Sequence, residues 1–203
     1  VYDCVHGYIG ITEIERSIID TSIFQRLRRI KHLGLSDLVY PGATHSRFAH
    51  SIGSMFVMDK IANRLIEDKY LEESDLQELR LAALLHDVGH YPFSHVLENV
   101  MKKRHGDQGK HEELSSHIVT NTEIGKKIRH ADYDPEEISA IIKRSYVGNK
   151  LLFNYLLSSD FDVDRIDYLI RDAHHTGVAY GFVDVDRLIR TITVNKSTLA
   201  QLA

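Results

Sequence analysis

Apolar residues recur at helical spacing almost throughout the 203-residue chain, and hardly anywhere alternate as they would along a half-buried strand. This pattern commits the chain to helices that bury one another. Ile23, Phe24, Leu27, Ile30 and Leu33 predict a helix over Ser22–Leu33 that stops at Gly34. A longer helix over His45–Glu67 follows from Phe48, Ile52, Met55, Ile61 and Leu65. Ser74 with Gln77 reads as a capping box opening the apolar helix that ends near His86, and Pro92 suits the first turn of a helix over Phe93–Lys103. Weaker helical patterns cover Glu112–Asn121 and Ile124–His130. Asp134, Pro135 and Glu137 supply N-cap, N1 and N3 for a helix through Arg144. Lys150–Leu157, Asp162–His175 (stopped by Gly177) and Asp184–Arg190 complete the set. Arg104–Lys110 reads as a disordered polar loop, and the β-branched Thr191–Val194 as a strand. The expectation is one all-α domain over residues 1–203, with at most one or two short strands near its C-terminal end.

Composition then removes whole classes. With 25 basic and 29 acidic side chains the net charge is −4, so the bulk field does not favour nucleic acid. A single cysteine, Cys4, makes no internal disulfide, which points to a reducing, cytoplasmic setting. No apolar run reaches the ~18 residues of a membrane span, and no signal-peptide pattern opens the chain. Starting at Val1 and stopping just after the Ile-Thr-Val run, the sequence reads as a piece of a longer protein. Thirteen histidines, clustered beside carboxylates, raise the prior for metal or phosphate chemistry.

Four places, which hold eight of those histidines, carry polar residues that packing alone would not put there. HDVGHYPFSH (86–95) emerges from a buried helix, so His86 and Asp87 can face one cavity. A lone His-Asp pair at a helix end more often caps the last carbonyls, but three histidines around a Gly and a Pro shift that balance. In HSRFAH (45–50), Arg47 and His50 are neighbours on one helical face, which by itself is an exposed polar stripe. In Asp160–His175, the residues Asp164, Asp167, Tyr168, Arg171 and Asp172 share a face opposite Val163, Ile166, Leu169, Ile170 and Ala173. Asp164 also sits in a first turn, where the helix dipole favours a carboxylate anyway. His111-Glu112-Glu113 alone is surface decoration. Taken together, His50, His86, Asp87 and Asp164 make two imidazoles and two carboxylates from three helices. That donor set suits Mn, Fe, Zn, Ni or Mg and leaves positions for water and a phosphate oxygen.

The order His50, His86-Asp87, Asp164 resembles the signature of the HD-domain phosphohydrolase superfamily. The series VHGYIGI, DTSIFQRLRRIKHLG, YPGATHSRFAHSIG, LLHDVGHYPFSH, KHEELS and FDVDRIDYLIRDAHHTGV is similar to the deoxynucleoside triphosphate triphosphohydrolases of the SAM-and-HD-domain type and their microbial relatives. The resemblance implies the all-α HD-domain globule and hydrolysis of a dNTP to deoxynucleoside and triphosphate, by water attack on the α-phosphorus. It implies His50, His86, Asp87 and Asp164 as ligands of a divalent transition metal (Fe, Mn, Zn or Ni), with Mg or Mn accompanying the substrate. Arg47, His90 and Tyr168 match triphosphate contacts, and Arg165 stands where the family has lysine. His95 matches the acid that protonates the leaving 5′-oxygen, with His111 as its support and Glu98 where the family has Asp. His32 replaces a family Gln at the sugar pocket, and Asp172 matches the residue near the 3′-hydroxyl. Asp20, Gln25 and Arg28 match a guanine-nucleotide activator site at a subunit interface, which implies a homo-oligomer and GTP or dNTP as activator.

Three rival readings stand beside this one. HDVGH as a damaged HExxH zinc-protease motif fails, since Asp is too short and Gly89–Pro92 would break the helix. An HD phosphatase or phosphodiesterase acting on another nucleotide phosphate would use the same cations. A non-catalytic nucleotide sensor or single-strand binder would use Arg26, Arg28, Arg29 and Lys31, a set that also serves as a solvated helix face.

Overall fold

The computed structural model describes residues 1–93, 95–179 and 184–195, with the side chains of His95 and Asn149 outside that description. Among these residues there are eleven α-helices and one two-stranded antiparallel sheet. The strands are β1 (Tyr2–Asp3) and β2 (Gly7–Tyr8), in register Tyr2 with Tyr8 and Asp3 with Gly7. Asp3 shapes the turn between them: its Oδ1 accepts the backbone N–H of Val5 at 2.9 Å and of His6 at 3.0 Å. The short strands therefore stand at the N-terminal end, and the expectation of strand at the C-terminal end is corrected. There α11 (Val185–Thr191) runs into the β-branched run, and Ile192 and Val194 pack on the helical core with no strand alongside among the described residues. Strand propensity needs a paired edge to be realised, and helices occupy that ground.

The central element is α3 (Arg47–Glu67), capped by the Ser46 hydroxyl, which accepts Ala49 N–H. It packs against α4 (Asp75–Leu85) and α10 (Val163–Thr176). Ile52, Met55, Met58, Ile61 and Leu65 are buried along α3, each stabilising the fold by roughly 1.5–3 kcal/mol. Polar residues are buried on the same helix: Arg47, His50, Ser51 and Ser54. Over residues 47–58 the helix is buried on nearly every side, so its polar groups there have to be satisfied from inside the protein. On α4 pack α8 (Pro135–Ile142) and α9 (Leu151–Leu157), and against α8 lie α6 (His111–Asn121) and α7 (Glu123–His130). Asp134 caps α8 with Pro135 in its first turn, and Gly177 (φ 72°) ends α10 in the left-handed region. On the far side, α1 (Glu13–Ile19) carries a full capping box between Thr12 and Glu15. The buried Glu15 also takes two hydrogen bonds from Arg80, at 2.7 and 2.8 Å, which ties α1 to α4.

Four local expectations give way to tertiary contacts. The helix read over Ser22–Leu33 is the short α2 (Ser22–Gln25) followed by a 3-10 turn over Arg26–Arg29. It stops because Ile30 and His32 pair with the chain entering α3: Arg47 N–H donates to Ile30 O and His32 N–H to His45 O, both at 2.9 Å. The Ser74 capping box does not form, because the Gln77 amide donates instead to Glu15 at 2.9 Å. Phe93 has φ 61°, incompatible with a right-handed turn, so α5 begins at His95 and runs to His105. Beyond it, residues 106–109 form a 3-10 turn in place of the expected disordered loop. None of the described helices is long and apolar enough to cross a membrane.

Candidate active site

Three helix ends converge. The first turn of α3 brings Arg47 and His50, the residues closing α4 bring His86 and Asp87, and the first turn of α10 brings Asp164. His50 Nε2 lies 2.9 Å from Asp164 Oδ1, 3.3 Å from His86 Nε2 and 3.6 Å from Asp87 Oδ2. His86 Nε2 is 3.5 Å from Asp87 Oδ1 and 3.6 Å from Asp164 Oδ1. Both imidazoles spend their other nitrogen on an acceptor: His50 Nδ1 donates to Asp167 Oδ2 at 2.8 Å, and His86 Nδ1 to the Ala83 carbonyl at 2.7 Å. That assigns the Nε2 lone pairs to the space between the rings, where two neutral imidazoles would repel each other.

The electrostatics call for a cation there. Burial would raise the Asp164 carboxyl, but hydrogen bonds from His50 and His86 hold it far below the usual carboxylate range. Asp87 is likewise held down against its burial by Arg47 and His86, and Asp167 by His50, His6 and Arg171. Burial alone would push His50 down, yet Asp164 and Asp167 lift it to about 10. A proton on Nε2 answers that demand. So does a divalent ion: His50, His86 and Asp164 converge as three ligand atoms, Asp87 lies 3.5–3.6 Å from both rings, and such ions bind a nitrogen and carboxylate set of this kind. The Nδ1 hydrogen bonds that fix ring orientation in metal sites are already in place.

The cluster opens into a cavity of about 520 Å³. Arg47, His90, His111, Tyr168, Asp172 and His32 line it. Arg47 is buried and bonded to Asp87 Oδ2. His90 stacks on His111 (ring centroids 4.0 Å) and donates to Asp87 at 3.2 Å. Burial pushes His90 down to about 4 despite Asp87, so it is neutral at pH 7. The buried Glu98 accepts from His111 Nδ1 at 3.2 Å and lies 3.2 Å from Lys102 Nζ. His95 opens α5, and its side chain lies outside the described residues. His32 packs on His50 (4.3 Å) and is held well below its ordinary pKa by burial and by the neighbouring His50 and Arg47. Asp172 accepts from the buried His45 at 2.8 Å.

Other residues singled out in the sequence fall elsewhere. Arg165 is exposed outside this cavity, in an adjoining groove, where it donates to the Asp160 carbonyl at 3.1 Å. Gln25 donates to the Ile19 carbonyl and accepts from Arg28, each at 2.8 Å. The Arg28 guanidinium lies 3.5 Å over the Phe48 ring, and Asp20 is exposed at the end of α1. Sequence reasoning gave no role to Asp3, His6 and His45, read Arg26 as a surface cation, and set Asp167 and Arg171 on a polar face without seeing that both are fully buried. Arg26 reaches across to donate to the carbonyls of Val88 and His90, directly after the His86-Asp87 pair. A buried arginine four residues from a buried aspartate leaves no mark on periodicity, because the same spacing makes an ordinary surface pair.

The pattern of the HD domain matches residues 47–172, a span that begins at Arg47, ends at Asp172 and encloses all four converging residues. The chain belongs to the HD-domain family. This HD domain is 42% identical over 197 residues to MJ1154 of Methanocaldococcus jannaschii, covering 97% of this chain and 38% of that protein. It is 33% identical over 218 residues to the deoxynucleoside triphosphate triphosphohydrolase SAMHD1 of Mus musculus, covering 93% of this chain and 33% of that one. The crystal structure of a phosphohydrolase, BT4208 from Bacteroides thetaiotaomicron, superimposes with a TM-score of 0.80 at 35% identity, covering 97% of this chain and 47% of the other. The chain thus spans less than half the length of each of these proteins.

Proposed function

We propose that this HD domain is the catalytic core of a metal-dependent phosphohydrolase that converts a deoxynucleoside triphosphate to deoxynucleoside and triphosphate. The observation that carries the reading is the His50, His86, Asp87 and Asp164 cluster opening into a cavity walled by Arg47, His90, His111 and Tyr168. The similarity to SAMHD1 supports the choice of substrate. A divalent transition ion on those four residues, Fe, Mn, Zn or Ni, would acidify water and polarise a phosphoryl oxygen.

The chain's own groups do the rest. Arg47, buried and charged, draws the phosphates to the wall of the cavity, and Tyr168 offers a hydroxyl donor. His90 would bind a phosphate oxygen by turning its single N–H from Asp87 to the substrate. Water attacks the α-phosphorus, the bond from α-phosphorus to the 5′-oxygen breaks, and His95 protonates the leaving oxygen with support from His111 and Glu98. Asp172, anchored by His45, receives the sugar 3′-hydroxyl beside His32. Mg or Mn accompanies the polyphosphate, and Arg165 is reserved for its outer end. Asp20, Gln25 and Arg28 would take a GTP or dNTP activator at the contact between copies of a homo-oligomer.

The placement of Arg165 outside the cavity favours a second reading, a shorter phosphate ester as substrate for the same centre. Phosphorus NMR of products from a dNTP mixture, with Mn²⁺ or Mg²⁺ and with or without GTP, separates the two. Intact triphosphate from the full-length protein is the expected product, and His95→Ala should slow its formation by roughly 10²–10⁴-fold with metal retained. Orthophosphate or pyrophosphate would overturn the triphosphohydrolase reading.

A further inference from the structure

The HD pattern begins at residue 47, yet the hydrogen-bond chain that ends on His50 begins at residue 3. Asp167 has four hydrogen-bonding contacts. Its Oδ2 accepts from His50 Nδ1 at 2.8 Å and Arg171 Nε at 2.9 Å, and its Oδ1 from His6 Nε2 at 2.7 Å and Arg171 Nη2 at 2.9 Å. Arg171 is itself shared: Nη1 donates to Asp3 Oδ2 at 2.9 Å and Nη2 to Asp3 Oδ1 at 3.2 Å. Asp3, His50, Asp167 and Arg171 are all buried, and the His6 ring lies against Phe56 of α3, centroids 5.1 Å apart.

We infer that the N-terminal hairpin is a working part of the metal centre, with Asp3 and His6 acting through Arg171 and Asp167 as positioning residues for His50. The inference rests on reading His50 as a metal ligand. A carboxylate held only by its own helix can swing about its side-chain bonds. Asp167 cannot, because one oxygen is fixed by a residue of the hairpin and both by a guanidinium that the hairpin also grips. Asp3 has a second effect. By taking half of the Arg171 guanidinium it leaves Asp167 a better acceptor for His50 Nδ1–H, which makes Nε2 a better donor toward a cation. Without Asp3, Arg171 would turn its whole charge on Asp167 and weaken that push.

A purely structural hairpin would alter stability and leave metal affinity alone, so the test reads both. In the full-length protein, Mn²⁺ and Zn²⁺ affinity is measured by chelator competition, and unfolding of the ion-free protein is followed alongside. Asp3→Asn and His6→Phe, the latter keeping a ring against Phe56, should each weaken metal binding by roughly 10–100-fold. His6→Gln, which restores an N–H for Asp167, should recover most of that loss. Wild-type affinity in both damaging variants, or a loss that tracks unfolding and is not recovered by His6→Gln, overturns the inference. Should Asp3→Asn fail to fold, the two His6 variants decide alone. Wild-type protein that binds neither ion overturns the reading of His50 itself, and the inference with it.

Discussion

Replacing Gly53 with alanine tests the buried network at its tightest point. Gly53 lies inside α3, where exchanging glycine for alanine ordinarily stabilises a helix by about 1 kcal/mol. Here a Cβ would stand 1.9 Å from Asp167 Oδ1, 2.3 Å from Arg171 Nη2 and 2.7 Å from Asp167 Cγ. A non-bonded contact needs roughly 3.5 Å, so Asp167 Oδ1 would have to retreat by about 1.6 Å. Neither group is a loose side-chain end, since each is held by hydrogen bonds of 2.7–3.2 Å. A retreat on that scale breaks the bond from His6 and turns the oxygen that holds His50. Charge-assisted hydrogen bonds are worth about 1.5–3 kcal/mol each, so losing two outweighs the helical gain and leaves Gly53→Ala about 2–5 kcal/mol less stable. Denaturant unfolding of the ion-free protein measures that change, and chelator competition should show metal affinity falling with it. A variant as stable as the wild type, with unchanged metal affinity, would refute the claim that this network is rigid.

Two further outcomes follow from polar contacts that hold elements together without touching the metal ligands' side chains. Against its burial, Glu15 is held below its usual pKa by Arg80, so the unfolded chain takes up the proton first as the medium is acidified. Its stabilisation is complete above about pH 4.5 and is lost as pH falls through the lower folded value. Glu15→Gln should therefore cost about 3 kcal/mol at pH 7, with the gap to wild type closing below about pH 4.5 in unfolding titrations. A gap that stays constant down to pH 3 would remove the ion pair as its cause. Arg26→Gln gives up donors to the Val88 and His90 carbonyls and should lower stability by about 2–4 kcal/mol in the same denaturant assay. No loss would mean that water replaces the guanidinium at those carbonyls.

What a one-dimensional pattern can carry is local, and the all-α class was carried that way. The 3.6-residue period in Asp162–His175, the stop at Gly177 and the Asp134-Pro135 start need only the chain's own backbone geometry, and the structure has α10 and α8 there. Neighbourhood on one turn is equally local, so Arg47 beside His50 and His86 beside Asp87 were legible as pairs. Motif order supplied the family, since each segment of the resemblance is read without knowing where it folds. Features that depend on a distant partner were not legible. The helix after Ser22 ended early because Ile30 and His32 found the chain entering α3, and Gln77 left its cap for Glu15. Thr191–Val194 has strand propensity but, among the described residues, no strand to pair with. Asp167 and Arg171 carry the same letters and spacing as a solvated ion pair, and became the interior support of His50 only when α10 turned that face onto α3 and the hairpin brought Asp3 and His6 to meet it. The sequence by itself determined most of the helices, though not α1, and the pairs that share a turn, because backbone hydrogen bonds and hydrophobic period act over a few residues. Only the tertiary structure decided which polar faces are buried and which charges they meet, because burial and Coulomb attraction depend on distance through space and not along the chain.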